Sequence, residues 1–420
     1  RMKLSLSLLL LLPALLSAEL CGIKPSGDMG STRPNLYRGQ QEFSVAMLDA
    51  IRKATPNENV FFSPYSTYHA LLLAYFGATG QTERELATAL RLGWAPSKET
   101  VRSAYRLEKQ DRALRAKDMP LEFSSADRLY FDERVQLASC LDARLHDEIV
   151  QLNIKDNAEA TRVQINNWIA NVTHNEIKDM IASGDIDSRT QLVLANAAYF
   201  KGQWSSRFST EKTKQMPFHT STEKVSFVPM MKQKGVFLIN PDERLGAHVL
   251  QLPYRTSHTE DENADSDISM VIILPPFSND ALEQVLLKLN AETLEASLND
   301  ASPREIEVSL PKFEFEQRLE LVPILRQMGV KQIFDKDASF NDFSTEQGIN
   351  FGEAKHMAKI KVDEEGSTAS AATVLVSFRS ARPIEPTKFE CNHPFVFLIY
   401  DRKSSAILFT GIYRDPKTMK

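Results

Sequence analysis

The residues whose chemistry is most suggestive lie between Glu364 and Pro383, in the stretch EEGSTASAATVLVSFRSARP. They are not the residues an enzyme would use. Ser367, Thr368, Ala369, Ser370, Ala371 and Ala372 are all small. Such a tract can slide into a narrow slot between two strands, where bulky or charged side chains would clash. Gly366, just ahead of it, can hinge the chain. The run VLVSFRSARP follows and offers Phe378 and Arg379 in an extended form. An extended peptide with one specificity side chain is what a protease cleft binds. The plainer alternative, favoured by composition alone, is a low-complexity linker between strands.

Chemistry of the enzymatic kind is hard to find elsewhere. The sequence has no GxSxG elbow, HExxH, Walker loop or GxGxxG. Its eight histidines are scattered along the chain. Asn196 and His356 stand beside apolar runs, where a lone polar residue is ordinarily a hydrogen-bonded member of the core. The net charge of −5 argues against nucleic-acid binding, which needs a strongly basic face. The acidic stretch Ser257–Asp267 reads as a solvated loop and lacks an EF-hand register.

The composition is that of an ordinary globular chain: 420 residues, 42% hydrophobic and 25% charged. Lys3 precedes the apolar run LSLSLLLLLPALLSA, which reads as a signal peptide over residues 1–18, cut after Ala18, and hence as a secreted protein. An uncleaved anchor is the alternative, for which the run is short. Residues 19–41 read as a flexible arm and 42–420 as a single domain. Cys21, Cys140 and Cys391 are too widely spaced for a disulfide framework or a metal site. Asn171-Val-Thr is one glycosylation sequon.

The elements that must position these residues follow from periodicity. Residues 42–53 are helical, with Phe43, Met47, Leu48 and Ile51 on one face. A short strand at 59–62 is stopped by Pro64, and a helix follows at 68–76, capped by Ser66 or Thr67. Thr82 and Glu85 suggest a capping box for the next helix. Residues 99–117 form a polar helix, and 164–181 an amphipathic one. LVLANAAYF at 192–200 suits a buried central strand. From Val225 onward strands dominate, with helices at 282–289 and 319–328. The class is α+β.

Six blocks in order resemble the serpin family over about 42–416. NVFFSPYSTYHALLLAYFGATGQTERELATAL is similar to its N-terminal signature. INNWIANVTHNEIKDMI and TQLVLANAAYFKGQWSSRF follow. Then come VSLPKFEFEQRLELVPILRQMGVKQIFDKDASF, the hinge HMAKIKVDEEGSTASAATV and FECNHPFVFLIYDRKSSAILFTGIYRDP.

The resemblance implies three β-sheets, about nine helices and an exposed reactive-centre loop at about 366–386. It implies a monomer that inhibits a serine protease by a suicide mechanism and forms a 1:1 covalent complex, with no membrane or nucleic-acid partner. The protease cuts the loop and is trapped as an acyl-enzyme while the loop inserts into the main sheet. Matched by position, Ser63, Pro64, Ser66, Asn196 and His356 form a shutter beneath that sheet. Trp204 marks the breach where insertion starts. Glu364, Glu365, Gly366, Ser367, Thr368, Ala369, Ser370, Ala371 and Ala372 form the hinge. Thr368 and Ser370 depart modestly from the family pattern, and the small Ser367 suits an inhibitor rather than a carrier or storage member. The bond after Arg379 (Arg379–Ser380) suits a trypsin-like enzyme. Ser380–Ala381 suits an elastase-like enzyme, and Phe378–Arg379 a chymotrypsin-like one. No resident cofactor is implied. Arg102, Arg106 and Lys109 share a helix face where some members bind heparin; a solvated face is the plainer reading.

Overall fold

The structure is a computed structural model and describes residues 32–117, 119–138, 141, 145, 147–256, 266–365 and 387–416. Its first half holds α1 (Thr32–Ala54), β1 (Val60–Phe62), α2 (Pro64–Gly77), α3 (Gly80–Ala89), α4 (Lys98–Ala116), β2 (Glu122–Asp132), β3 (Ile149–Leu152), α5 (Ala158–Val172) and β4 (Leu192–Lys201). The second half is mostly strand: β5 (Lys214–His219), β6 (Val225–Asp242), β7 (Ala247–Pro253), β8 (Ile268–Leu274), α6 (Ala281–Lys288), α7 (Ala291–Asn299), β9 (Ser302–Pro311), β10 (Phe313–Glu320), α8 (Leu321–Gln327), β11 (Glu353–Val362), β12 (Thr387–Glu390), β13 (Phe395–Asp401) and β14 (Ala406–Tyr413). Helices first and strands later is the order the periodicity predicts.

A five-stranded sheet runs β10-β11-β4-β2-β3, and a nine-stranded one runs β1-β14-β13-β8-β7-β6-β9-β12 with β5 on β6. The larger sheet contains two of the three expected sheets. Residues 225–230 of the long β6 pair with β5, and residues 238–242 pair with β7. One strand therefore serves a β5-β6-β9-β12 group and a β1-to-β6 group. α2 sits between the sheets with every residue buried, so no helical stripe is visible in its sequence.

Four sequence expectations are corrected. The first ten residues of α1, 32–41, belong to the domain and not to a flexible arm. Leu36 continues the apolar face, and the polar Gln40 is buried because its side chain bridges β14: Nε2 donates to the Ile407 carbonyl and Oε1 accepts from the Ile407 amide. Pro64 does not stop a strand but opens α2 at its first turn, where a missing N–H costs nothing, and Ser63 is the cap. Thr79, not Thr82, precedes α3; Thr82 and Glu85 instead bind the 331–339 segment. α5 ends at Val172, because His174 (φ 51°) and Asn175 (φ 65°) turn left-handed.

Candidate functional site

β4 and β11 lie side by side and parallel, in register from Glu353↔Val193 to Ile360↔Phe200. Parallel pairing is the weaker kind. β11 also carries β10 antiparallel on its outer edge. The five-stranded sheet therefore has a seam in its middle.

Beneath the seam the structure gathers the residues expected at the shutter. His356 and Asn196 are register partners across it, and both are fully buried. The Ser63 amide donates to His356 Nε2 at 2.9 Å. An amide only donates, so Nε2 accepts and Nδ1–H donates to Asn196 Oδ1. The imidazole is thus neutral, and burial pushes its pKa down to about 3. Asn196 Nδ2 donates to Ser66 Oγ and Asp127 Oδ1, both at 2.6 Å. Ser63 Oγ donates to the Leu408 carbonyl and caps α2. Pro64 sets the first turn of that helix.

Asp127 is the member that sequence reading missed. Its β2 strand is anonymous until Leu129, and only the meeting of α2, β2 and β4 gives this carboxylate a role. Ser66 Oγ donates to Oδ1 at 2.7 Å and Ser125 Oγ to Oδ2 at 2.6 Å. Every direct partner is neutral. Burial raises the pKa to about 6 against the pull of these bonds.

At the top of β11 the chain is pinned. Trp204 stacks on Tyr254 (4.4 Å between centroids), and its Nε1 donates to the Asp363 carbonyl at 2.9 Å. Glu364 is buried, and its carboxylate accepts from Thr213 Oγ1 and Lys312 Nζ, each at 2.8 Å. Burial alone would raise this carboxyl's pKa; the two donors overcome that and hold it below the usual range. Glu365 ends the described stretch. Gly366 to Ala372, Phe378, Arg379, Ser380 and Ala381 lie outside the described residues, as do Cys21 and Cys140. The chain returns at Thr387, where β12 pairs with β9.

A sheet with a parallel seam, and a long segment joining the top of one seam strand to another sheet, has known counterparts. Residues 38–416 match the family model described as serpin (serine protease inhibitor). The chain belongs to the serpin family. It is 61% identical to serine protease inhibitor 88Ea of Drosophila melanogaster, over 99% of each chain. It is 30% identical to the leukocyte elastase inhibitor of Bos taurus, over 91% of this chain and 99% of that one. The solved structure of uncleaved ovalbumin superposes with a TM-score of 0.78 at 26% identity, covering 91% of this chain and all of that one. This serpin is accordingly a serine protease inhibitor and not an enzyme.

Two further expected sites differ in their side-chain surroundings from the sequence expectation. On α4 of this serpin, Arg102 pairs with Glu99 at 2.7 Å and lies over the Phe76 ring. Lys109 pairs with Glu148. Of the three basic residues, Arg106 and Lys109 stay exposed and Arg102 is half-buried. Further along, Arg112 and Arg115 turn inward to Asp401. Asn171 is exposed in the last turn of α5, while the sequon's Thr173 is fully buried and its hydroxyl donates to the Ile169 carbonyl. Cys391 is fully buried, which raises its thiol pKa well above the ordinary value.

Proposed function

We propose that this serpin is a secreted suicide inhibitor of trypsin-like serine proteases, cut at Arg379–Ser380 and forming a 1:1 covalent complex. The parallel β4–β11 seam is the observation that carries the reading. Residues 366–386 follow in sequence the stretch 363–365 that leaves the top of β11. A chain that folds back at Gly366 runs antiparallel to β11, and therefore antiparallel to β4 as well. Its insertion replaces one parallel pairing with two antiparallel ones. About 14 residues at ~3.4 Å each would span roughly 48 Å of sheet. Each new ladder bond contributes about 1 kcal/mol net. The small residues from Ser367 to Ala372 pass into the seam without steric cost.

Insertion also explains the shutter. A strand placed between β4 and β11 moves them from one strand spacing apart to two, roughly 9.6 Å. The His356–Asn196 bond cannot survive that separation. Being neutral on both sides, it breaks without stranding a charge.

Arg379 supplies the guanidinium that a trypsin-type pocket carboxylate binds bidentately. The neighbouring Ser380–Ala381 bond supports a second reading, an elastase-like target, since a relative bears the name leukocyte elastase inhibitor. Mixing the protein with trypsin is expected to give an SDS-stable band near the summed mass and a C-terminal peptide starting at Ser380. Arg379→Ala should lose the trypsin complex, while Ser367→Arg should be cleaved at the same bond without complex. Clean cleavage of the unmodified protein with no complex would overturn the inhibitory reading. A peptide starting at Ala381, with an elastase complex, would move the target class.

The ion pairs on α4 leave little field for a polysaccharide. The protein is expected to elute from a heparin column at or below physiological salt, with no change on Arg106→Ala; retention to high salt would restore the helix as a heparin site.

A further inference from the structure

The seam is closed on its other face by the segment between α5 and β4. Ile177, Met180, Ile181 and Ile186 of this segment are buried against Ala195, Ala197 and Tyr199 of β4 and Met357 of β11. It therefore lies across both seam strands. Its ties to the two sides differ in kind.

On the β4 side the segment is held by covalent continuity and by Asn166 of α5, whose Nδ2 donates to the Ile181 carbonyl and whose Oδ1 accepts from the Ile181 amide. On the β11 side it is held by charge. Lys355 Nζ lies 2.7 Å from Asp185 Oδ2, and Lys359 Nζ lies 3.1 Å from Glu176 Oε2. Both ammonium groups are largely shielded from solvent (side chains 10% and 17% exposed), while the Glu176 carboxylate is 39% exposed, so dissolved salt reaches the pairs from the acid side. The Tyr199 hydroxyl on β4 also hydrogen-bonds to Glu176. That one carboxylate thus touches both strands of the seam.

Each lysine also has a second acid beside it on β10. Glu320 is 3.4 Å from Lys355, and Glu314 and Glu316 are 3.5 and 3.7 Å from Lys359. β10 is joined to β11 along its whole length and moves with it. When the seam opens, the lysines can release the segment and keep a partner. These pairs can therefore break without leaving a buried charge alone.

We propose that Glu176 and Asp185, through Lys359 and Lys355, staple the β4–β11 seam and set how fast it admits a strand. They are positioning residues for the inhibitory reaction, and the inference rests on the insertion reading above. The staple predicts that strand uptake speeds up with salt, because screening weakens the pairs that hold the seam shut.

The probe is a synthetic peptide of residues 366–379, GSTASAATVLVSFR, whose uptake by the full chain is followed on native gels and by fluorescence. This needs no protease and is independent of the Arg379 assignment. The isosteric double variant Glu176→Gln/Asp185→Asn is expected to take up the peptide about tenfold faster than the unmodified protein. Its rate should be nearly flat between low and high salt, where the unmodified protein's rises. Asp300→Asn, which removes an Arg244 pair far from the seam, should behave like the unmodified protein. Equal rates with equal salt dependence would overturn the staple and leave insertion standing. No uptake by any form, even on warming, would overturn insertion and the staple together.

Discussion

Asp127→Asn is expected to raise the melting temperature at neutral pH by several degrees, against the usual trend for a buried substitution. The reason lies in the four-way meeting beneath the sheet. Ser66, Ser125 and Asn196 all donate to this carboxylate, and among the described residues no cation is bonded to it. The positive group that acts on it through space, Lys109 on α4, is engaged by Glu148. Tyr105, also on α4, faces it uncharged. Burial outweighs the three bonds and lifts the pKa from 3.8 to about 6. A carboxyl whose pKa is raised on folding adds stability below its unfolded value, and that contribution disappears as pH climbs through the folded value. At pH 7.4 the shutter therefore holds an ionised group that costs about 2 kcal/mol, after allowing for the solvent that reaches it. Asparagine has the same shape. Its Oδ1 keeps the bonds from Ser66 and Asn196, and its Nδ2 donates to Ser125 Oγ, whose proton, no longer taken by the carboxylate, turns to Ser66 Oγ. The gain over the unmodified protein should be full above about pH 6 and gone by about pH 4 in thermal melts. A gain that persists at pH 4, or a loss at pH 7.4, would show that ionisation is not what Asp127 contributes.

Asp127 also marks where sequence reading gives out. β4 announces itself through LVLANAAYF and β11 through the alternation of AKIKV, because a central strand and a half-buried one leave distinct patterns. The shutter residues could be placed because short polar side chains beside apolar runs need partners. No local pattern could give Asp127 its role, since α2, β2 and β4 come together only in three dimensions. Residues 173–181 mislead in the opposite way. Ile177, Met180 and Ile181 continue the spacing of Ile165 and Ile169 and imitate one long helix. Left-handed turns at His174 and Asn175 end that helix and lay the segment flat on the sheet, so its apolar residues are buried for a different reason. In the first turns of α1 the polar Gln40 is fixed in the core alongside Leu36, and a hydrophobic pattern cannot register it. The small side chains of the tract are compatible with entry between strands, but the direction that the proposed insertion would take is not legible in them; it depends on β4 and β11 being parallel neighbours, a fact of topology.

His356→Ala should have the largest destabilising effect. Removing the ring strands the Ser63 amide and takes the Nδ1–H donor from Asn196 Oδ1, leaving it the Thr67 hydroxyl at 3.2 Å, whose proton is shared with the Ser63 carbonyl at 3.0 Å. A buried group left unpaired costs about 1–3 kcal/mol. The hole left by the ring adds about 2 kcal/mol more. A total of about 4 kcal/mol corresponds to a fall of roughly 5 °C in the melting temperature of a domain of this length. Acid should narrow the deficit. His356 is held neutral with a pKa near 3, so its contribution is full above its unfolded value of 6.5 and drains away as pH falls toward 3. The gap between variant and unmodified protein should therefore be widest at pH 7.4 and shrink steadily below pH 6.5. The trend is opposite in sign to that of Asp127, so the intact shutter shows only the sum of the two, and each variant exposes the other's slope. The damage should also be directional. The lost bond is the side-chain rung across the seam, so β4 and β11 should part before the rest of the sheet, and amide exchange should quicken first in residues 193–200 and 353–360. Uniform acceleration across the nine-stranded sheet as well would mean that His356 supports the core in general and does not lock the seam.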